Sequence, residues 1–320
     1  MNIVILDANT LTLDNDIDFS VFNQYGDVTI YQSSTDEEVG ERIKDAEVVL
    51  CNKTVLNADK LSKAPNLKYI GLFATGYNNI DVAYAKEKNI RVANVAGYST
   101  DSVVQHTFAL GLYLIEKMNY YDNYVKSGEY AECPIFSHFS NVFHELSGKT
   151  WGIVGLGTIG KGVAKIASDF GCKVIYYSAS GKTQDVPYER EEFDEFLKKS
   201  DIISIHAPLN DKTNNLFNKE AFDKMKTSAV LLNLGRGPIV NDADLTEALE
   251  QGKIAAAGLD VLGKEPIEKD NPLLRIKDST KLVITPHVAW GTVEARTRLM
   301  DEVYENIAAF TKGEARNAVV

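Results

Sequence analysis

At 320 residues the chain is long enough for two domains with separate cores. Its 34 basic and 45 acidic residues leave a net charge of −11, which argues against the clustered positive surface that nucleic acid or an anionic membrane requires. No apolar run approaches the roughly 18 residues of a membrane span, and Cys51, Cys133 and Cys172 lie too far apart for a disulfide framework or zinc site.

The first residues, Met1-Asn2-Ile3-Val4-Ile5-Leu6-Asp7, have no basic leader region and read as a buried strand. A reducing cytoplasm and no bound metal are therefore expected. Further strands are predicted at 28–31, 48–50, 69–73 and 91–94. Helical patterns at 35–46 and 80–88 alternate with them, and Thr35 with Glu38 has capping-box spacing. This alternation implies a parallel sheet covered on both faces. A longer helix is predicted over 99–117, where Val103, Thr107, Leu110, Leu114 and Met118 share one face. An irregular stretch rich in Tyr and Phe follows, from 120 to 146.

Next comes Gly155-Leu156-Gly157-Thr158-Ile159-Gly160, after a short apolar run and before a helical pattern that ends at Gly171. This is the context that a dinucleotide-binding turn needs. Gly155 permits the tight turn, Gly157 a close backbone approach to a pyrophosphate, and Gly160 close packing of helix on strand. Five more strands are predicted at 173–177, 202–205, 229–233, 256–260 and 282–285, which completes a six-stranded dinucleotide domain. A last helix covers 292–312. Because the glycine turn stands so late, this domain is expected as an insertion: 101–287 within an outer domain of 1–100 and 288–320, with a cleft between them.

An NAD site usually closes its second strand with an acid that bonds the ribose 2′-OH. Here the strand runs into Ser178-Ala179-Ser180-Gly181-Lys182. Two hydroxyls and a cation suit a 2′-phosphate, so NADP(H) is favoured over NAD(H), with a solvated turn as the ordinary alternative. Further on, Arg236 follows Asn233-Leu234-Gly235, Glu265 precedes Pro266, and His287 follows Thr285-Pro286. Taken alone, Arg236 reads equally well as half of a surface ion pair, while a loop glutamate is usually just solvated and a lone histidine here is more often structural than catalytic. Their coincidence is informative, because each falls just after a different strand of one parallel sheet.

At this point the chain resembles the D-isomer-specific 2-hydroxyacid dehydrogenase family along nearly its whole length. The resemblance rests on Ala74-Thr75-Gly76-Tyr77-Asn78-Asn79-Ile80-Asp81, on Ser99 to Thr107, and on the glycine turn. It continues through His206-Ala207-Pro208, Asn233 to Gly237, Asp260-Val261 with Glu265-Pro266, and Pro286-His287-Val288-Ala289-Trp290. The Gln105-His106 pair and the segment from His287 to Trp290 are most similar to the glycerate dehydrogenase (hydroxypyruvate reductase) branch.

The resemblance implies an α/β fold of two doubly wound parallel-sheet domains, a Rossmann domain inserted into a discontinuous flavodoxin-like substrate domain. It implies hydride transfer between a nicotinamide cofactor and a D-2-hydroxyacid/2-oxo acid pair, with hydroxypyruvate or glyoxylate as the expected oxo acid. Arg236, Glu265 and His287 would be the catalytic trio: carboxylate binder, orienting partner and acid–base. Thr75, Gly76, Tyr77 and Trp290 would join Arg236 and His287 at the substrate. Thr158 and Ile159 would face the pyrophosphate, and Ser178, Ser180 and Lys182 the adenosine ribose. His206, Ala207, Pro208, Thr213, Leu234 and Gly235 would line the adenine side. Asp260 would bond the nicotinamide carboxamide, with Thr75, Ala289, Arg236 and His287 completing the cofactor contacts. A homodimer is also implied, through the dinucleotide domain and the stretch from Tyr120 to Phe143. Alternatives are a reductase of a bulkier 2-oxo acid, and a dinucleotide-sensing binding protein. Gln105 stands where many members carry Glu, while His106, His138 and His144 match no catalytic position and read as structural or exposed.

Overall fold

Runs such as Val48-Val49-Leu50-Cys51 offer no polar position on either face, which suits a strand covered from both sides. The computed structural model describes residues 1–12 and 16–320. Its first sheet contains β1 (Asn2–Ile5), β2 (Asp27–Ile30), β3 (Val48–Cys51), β4 (Tyr69–Leu72) and β5 (Arg91–Ala93). Between them lie α1 (Asp36–Ile43), α2 (Ala58–Leu61) and α3 (Val82–Glu87). Thr35 and Glu38 form the predicted capping box, and the Asp81 side chain caps α3 through the Tyr84 N–H. The order β2-β1-β3-β4-β5, all parallel, is the flavodoxin-like arrangement. Val4, Ile43, Val49, Ile70 and Val92 are among its core residues. Each such fully buried aliphatic side chain contributes about 1.5–3 kcal/mol.

The helix predicted over 99–117 is shorter, α4 (Thr100–Ile115). Lys117 takes a left-handed backbone (φ 54°), and a separate helix, α5 (Met118–Lys126), starts behind it. Helical periodicity alone could not see this break. Then follow β6 (Thr150–Val154), α6 (Thr158–Asp169), β7 (Lys173–Tyr177), β8 (Glu189–Arg190), α7 (Phe193–Lys199) and β9 (Ile202–Ile205). Next come α8 (Lys219–Lys224), β10 (Val230–Asn233), α9 (Asp242–Glu250), β11 (Ala256–Leu259) and β12 (Leu282–Ile284).

The second sheet therefore has seven strands, one more than predicted, because β8 is a two-residue edge strand with no periodicity to read. Its order is β12-β11-β10-β9-β6-β7-β8, entirely parallel. Strand order reverses between β6 and β9, which is the Rossmann switch point where such sheets bind ligands. Trp151 is buried against Phe108 of α4, and its indole N–H donates to Ser204 Oγ at 2.9 Å.

The chain ends in α10 (Val293–Thr311), whose buried Ala295, Leu299, Val303 and Ile307 recur at helical spacing. Contacts divide the protein into two compact units, Met1–Ser99 with Gly291–Val320, and Thr100–Trp290. Among the described residues no helix is long and apolar enough to cross a membrane.

Candidate active site

The glycine turn sits at the C-terminal end of β6, beside the switch point. Gly155 has φ 89°, and a Cβ there would lie 2.8 Å from the Ala207 backbone. A Cβ on Gly160 would stand 2.3 Å from the Gly155 carbonyl oxygen, so helix and strand touch backbone to backbone. Above Gly157 there is open space, with no atom within 4 Å of an added Cβ. Gly157 is also the N-cap of α6 and supplies no side-chain cap, so the first helical N–H groups keep their donors for an anion. Both ring nitrogens of His206, just after β9, are buried without a hydrogen-bond partner. Burial pushes the His206 pKa down to about 3, so the ring is neutral and holds one donor and one acceptor in reserve. An open phosphate cradle with an unpartnered polar ring nearby fits a dinucleotide.

The loop after β7 is organised by its own hydroxyls. Ser178 Oγ lies 3.1 Å from Ser180 Oγ, and Gly181 supplies a left-handed turn (φ 74°). Lys182 is exposed and forms no ion pair among the described residues. Gln184 donates to the Leu156 carbonyl at 2.7 Å, tying this loop to the glycine turn, a tether that no motif announced. Thr213 is buried, and its hydroxyl donates to the Pro208 carbonyl (2.7 Å) and accepts from the Asn210 N–H (2.9 Å), so it shapes the loop after β9. Gly235 is pressed against the Ala207 carbonyl, 2.9 Å from where its Cβ would be.

Arg236, Glu265 and His287 follow the adjacent parallel strands β10, β11 and β12, so their loops share one sheet edge. Asn233 aims the first loop: its side chain accepts from the Gly235 N–H (3.1 Å) and donates to the Arg236 carbonyl (3.1 Å). The half-buried Arg236 guanidinium donates to the Gly235 carbonyl (2.8 Å) and has no carboxylate partner among the described residues. A half-buried cation without a protein anion is a receptor for an anionic ligand. Gly237 leaves no gap to the second loop, because a Cβ would come within 1.7 Å of the Leu262 carbonyl oxygen. The Leu262 N–H in turn donates to Glu265 Oε1 (2.9 Å), and Glu265 Oε2 lies 2.7 Å from His287 Nδ1.

His287 is held in an unusual backbone. Its φ is 56°, left-handed for a residue with a Cβ, a conformation costing on the order of 1–3 kcal/mol. Asp260, nearly fully buried, offsets that cost. Its carbonyl accepts the His287 N–H (2.8 Å), Oδ1 accepts from Val288 N–H (2.9 Å), and Oδ2 from Ala289 N–H (3.0 Å). The carboxylate of Asp260 thus fixes the loop that carries His287, a support that no motif announced. Trp290 closes this loop and is half-buried.

Thr75, Gly76 and Tyr77 belong to the other unit, in the loop after β4. There the Thr75 hydroxyl donates to the Val95 carbonyl at 2.7 Å, its carbonyl accepts from Asn94 Nδ2 at 2.6 Å, and Tyr77 is exposed.

Residues 108–289 match the D-isomer specific 2-hydroxyacid dehydrogenase, NAD binding domain. A hydroxypyruvate reductase of Blautia hydrogenotrophica is 41% identical over 324 residues, covering 100% of this chain and 99% of the relative. The chain belongs to the D-2-hydroxyacid dehydrogenase family. A glycerate dehydrogenase of Methylorubrum extorquens is similar too, 36% identical with 99% of this chain and 98% of the relative covered. Among solved structures, an acyclic imino acid reductase in complex with NADPH and D-Arg matches with a TM-score of 0.87, 31% identity and full coverage of both chains. As a D-2-hydroxyacid dehydrogenase, the protein is an oxidoreductase acting on CH–OH donors with a nicotinamide cofactor.

Proposed function

We propose that this dehydrogenase reduces a short 2-oxo acid, hydroxypyruvate or glyoxylate, to its D-2-hydroxyacid. The observation that carries the reading is the 2.7 Å Glu265–His287 pair, set on the same sheet edge as an Arg236 that has no carboxylate partner among the described residues. Two full-length relatives, the hydroxypyruvate reductase and the glycerate dehydrogenase, support the choice of oxo acid.

Arg236 takes the substrate carboxylate in two parallel charge-assisted bonds, as the planar guanidinium allows. Glu265, ionised, can only accept, so the Nδ1 it touches carries a hydrogen and Nε2 is left to exchange the reactive proton. A bound nicotinamide supplies or accepts the hydride. In the reducing direction His287 gives its Nε2 proton to the carbonyl oxygen as that oxygen becomes a hydroxyl, and leaves as neutral imidazole. In oxidation the neutral ring takes the hydroxyl proton back. Thr75, Gly76 and Tyr77 enter as substrate contacts on the family resemblance alone.

NADP(H) is the preferred cofactor in this reading. The Ser178–Ser180 pair and Lys182, which forms no ion pair among the described residues, support it, and a structural relative is in complex with NADPH. Ser178→Asp is expected to lower kcat/KM with NADPH by about tenfold or more relative to NADH, because a carboxylate repels a 2′-phosphate. An unchanged ratio removes the turn from cofactor selection. The reading as a whole is tested by a panel of 2-oxo acids assayed with NADH and with NADPH. Efficient turnover only on phenylpyruvate or branched-chain oxo acids replaces the short-substrate reading with the bulkier one.

We also propose that a second copy covers the segment from Tyr120 to Phe143. Phe136 and Phe139 are 91% and 75% exposed there, and Val142 is 72% exposed, which is much apolar surface for one short stretch. Phe136→Ser with Phe139→Ser is expected to move the protein from dimer to monomer in sedimentation analysis. A wild-type monomer at micromolar concentration overturns the proposal.

A further inference from the structure

Helix α4 approaches the catalytic loop with two side chains one turn apart on the same face, Ser102 and His106. Ser102 Oγ donates to the Ala289 carbonyl at 2.5 Å. His106 Nε2 lies 3.0 Å from Thr285 Oγ1 and 3.6 Å from Asp260 Oδ1. Thr285 Oγ1 in turn donates to Asp260 Oδ1 at 2.6 Å.

Asp260 receives two backbone N–H groups, one on each carboxylate oxygen, and as a carboxylate it only accepts. The single Thr285 hydroxyl proton is therefore committed to Asp260, and towards His106 the Thr285 oxygen can only accept. His106 must then carry a hydrogen on Nε2. The hydrogen bonds run in one direction, from His106 through Thr285 to Asp260, and Asp260 fixes the backbone of residues 287–289.

We propose that His106 is a positioning residue for the acid–base His287, acting through Thr285 and Asp260. The proposal rests on the reading of His287 given above. By donating to Thr285, His106 keeps that hydroxyl turned towards Asp260 and adds positive character beside a buried carboxylate. Asp260 then keeps its acceptors for the amides of Val288 and Ala289, and His287 keeps its left-handed backbone and its contact with Glu265. The phosphate cradle at the glycine turn has no part in this chain of bonds, so the hold on the pyrophosphate is kept and the main effect falls on the chemical step at the nicotinamide end.

The test combines kinetics with a direct view of the proton. His106→Leu is expected to lower kcat about tenfold, the worth of one bond of roughly 1.4 kcal/mol, with KM for the dinucleotide changed less than about twofold. His106→Gln retains an N–H donor and is expected to recover kcat to within about threefold of wild type. Thr285→Val combined with His106→Leu should cost no more than the worse single change. In wild-type protein with 15N-labelled histidine, the neutral His106 ring should show its hydrogen on Nε2. A hydrogen on Nδ1, losses that multiply in the double variant, or a His106→Gln no better than His106→Leu overturns the proposal. His287→Asn, measured alongside, tests the underlying reading separately. Full turnover in that variant with an Nε2-protonated His106 would mean that the bond chain stands but the acid–base assignment is wrong.

Discussion

His287→Asn is expected to lower kcat for 2-oxo acid reduction by about 10³-fold, within the range that a positioned general acid supplies. Asparagine is the informative replacement for two reasons. It tolerates a left-handed backbone better than most residues, so the φ of 56° at this position need not collapse. Its amide can also donate to Glu265, which keeps the 2.7 Å contact partnered while removing the imidazole to which the proposed proton exchange is assigned. The loss should therefore appear in kcat and in kcat/KM alike, with dinucleotide affinity preserved in a fluorescence titration. Near-normal turnover would remove His287 from the mechanism.

The second large effect concerns Arg236. Hydrogen bonds to a charged group are worth roughly 1.5–3 kcal/mol each, so losing two of them in Arg236→Ala should lower kcat/KM by about 10²- to 10⁴-fold. Arg236→Lys should recover little, because an ammonium is a point charge and cannot make the two parallel bonds of a planar fork. Dinucleotide affinity is expected to stay close to wild type in both variants. Equal losses in substrate and dinucleotide binding would instead assign Arg236 a structural role, holding the loop that Asn233 aims.

Much of the fold is legible in the sequence, because buried parallel strands are apolar on both faces and helices carry their caps in sequence. The strands of the first sheet, the Thr35–Glu38 capping box and the late glycine turn followed from such local rules. The rest depended on tertiary context. A left-handed Lys117 splits one apolar periodicity into two helices, and β8 exists only because β7 offers it an edge. At the site, the order of motifs pointed to Arg236, Glu265 and His287, yet the support beneath them was hidden. Asp260 reads from the sequence as a ligand for the cofactor; that its carboxylate also takes two amides and a threonine hydroxyl of its own domain is visible only in three dimensions. His106 read as structural, and its approach to Thr285 joins residues 179 positions apart.

Gly237 has a consequence for anyone wishing to change what this protein acts on. With under 2 Å between its missing Cβ and the Leu262 carbonyl, the loops carrying Arg236 and Glu265 share a seam without room for one carbon. A side chain at residue 237 would push on the Leu262 carbonyl, and so on the loop that leads to Glu265. Under the proposed mechanism, mutational libraries that diversify this seam are expected to disturb anion recognition and proton transfer together and to return mostly inactive variants. Altered substrate range is better sought at positions outside it, where a side chain can change shape without unseating both functions.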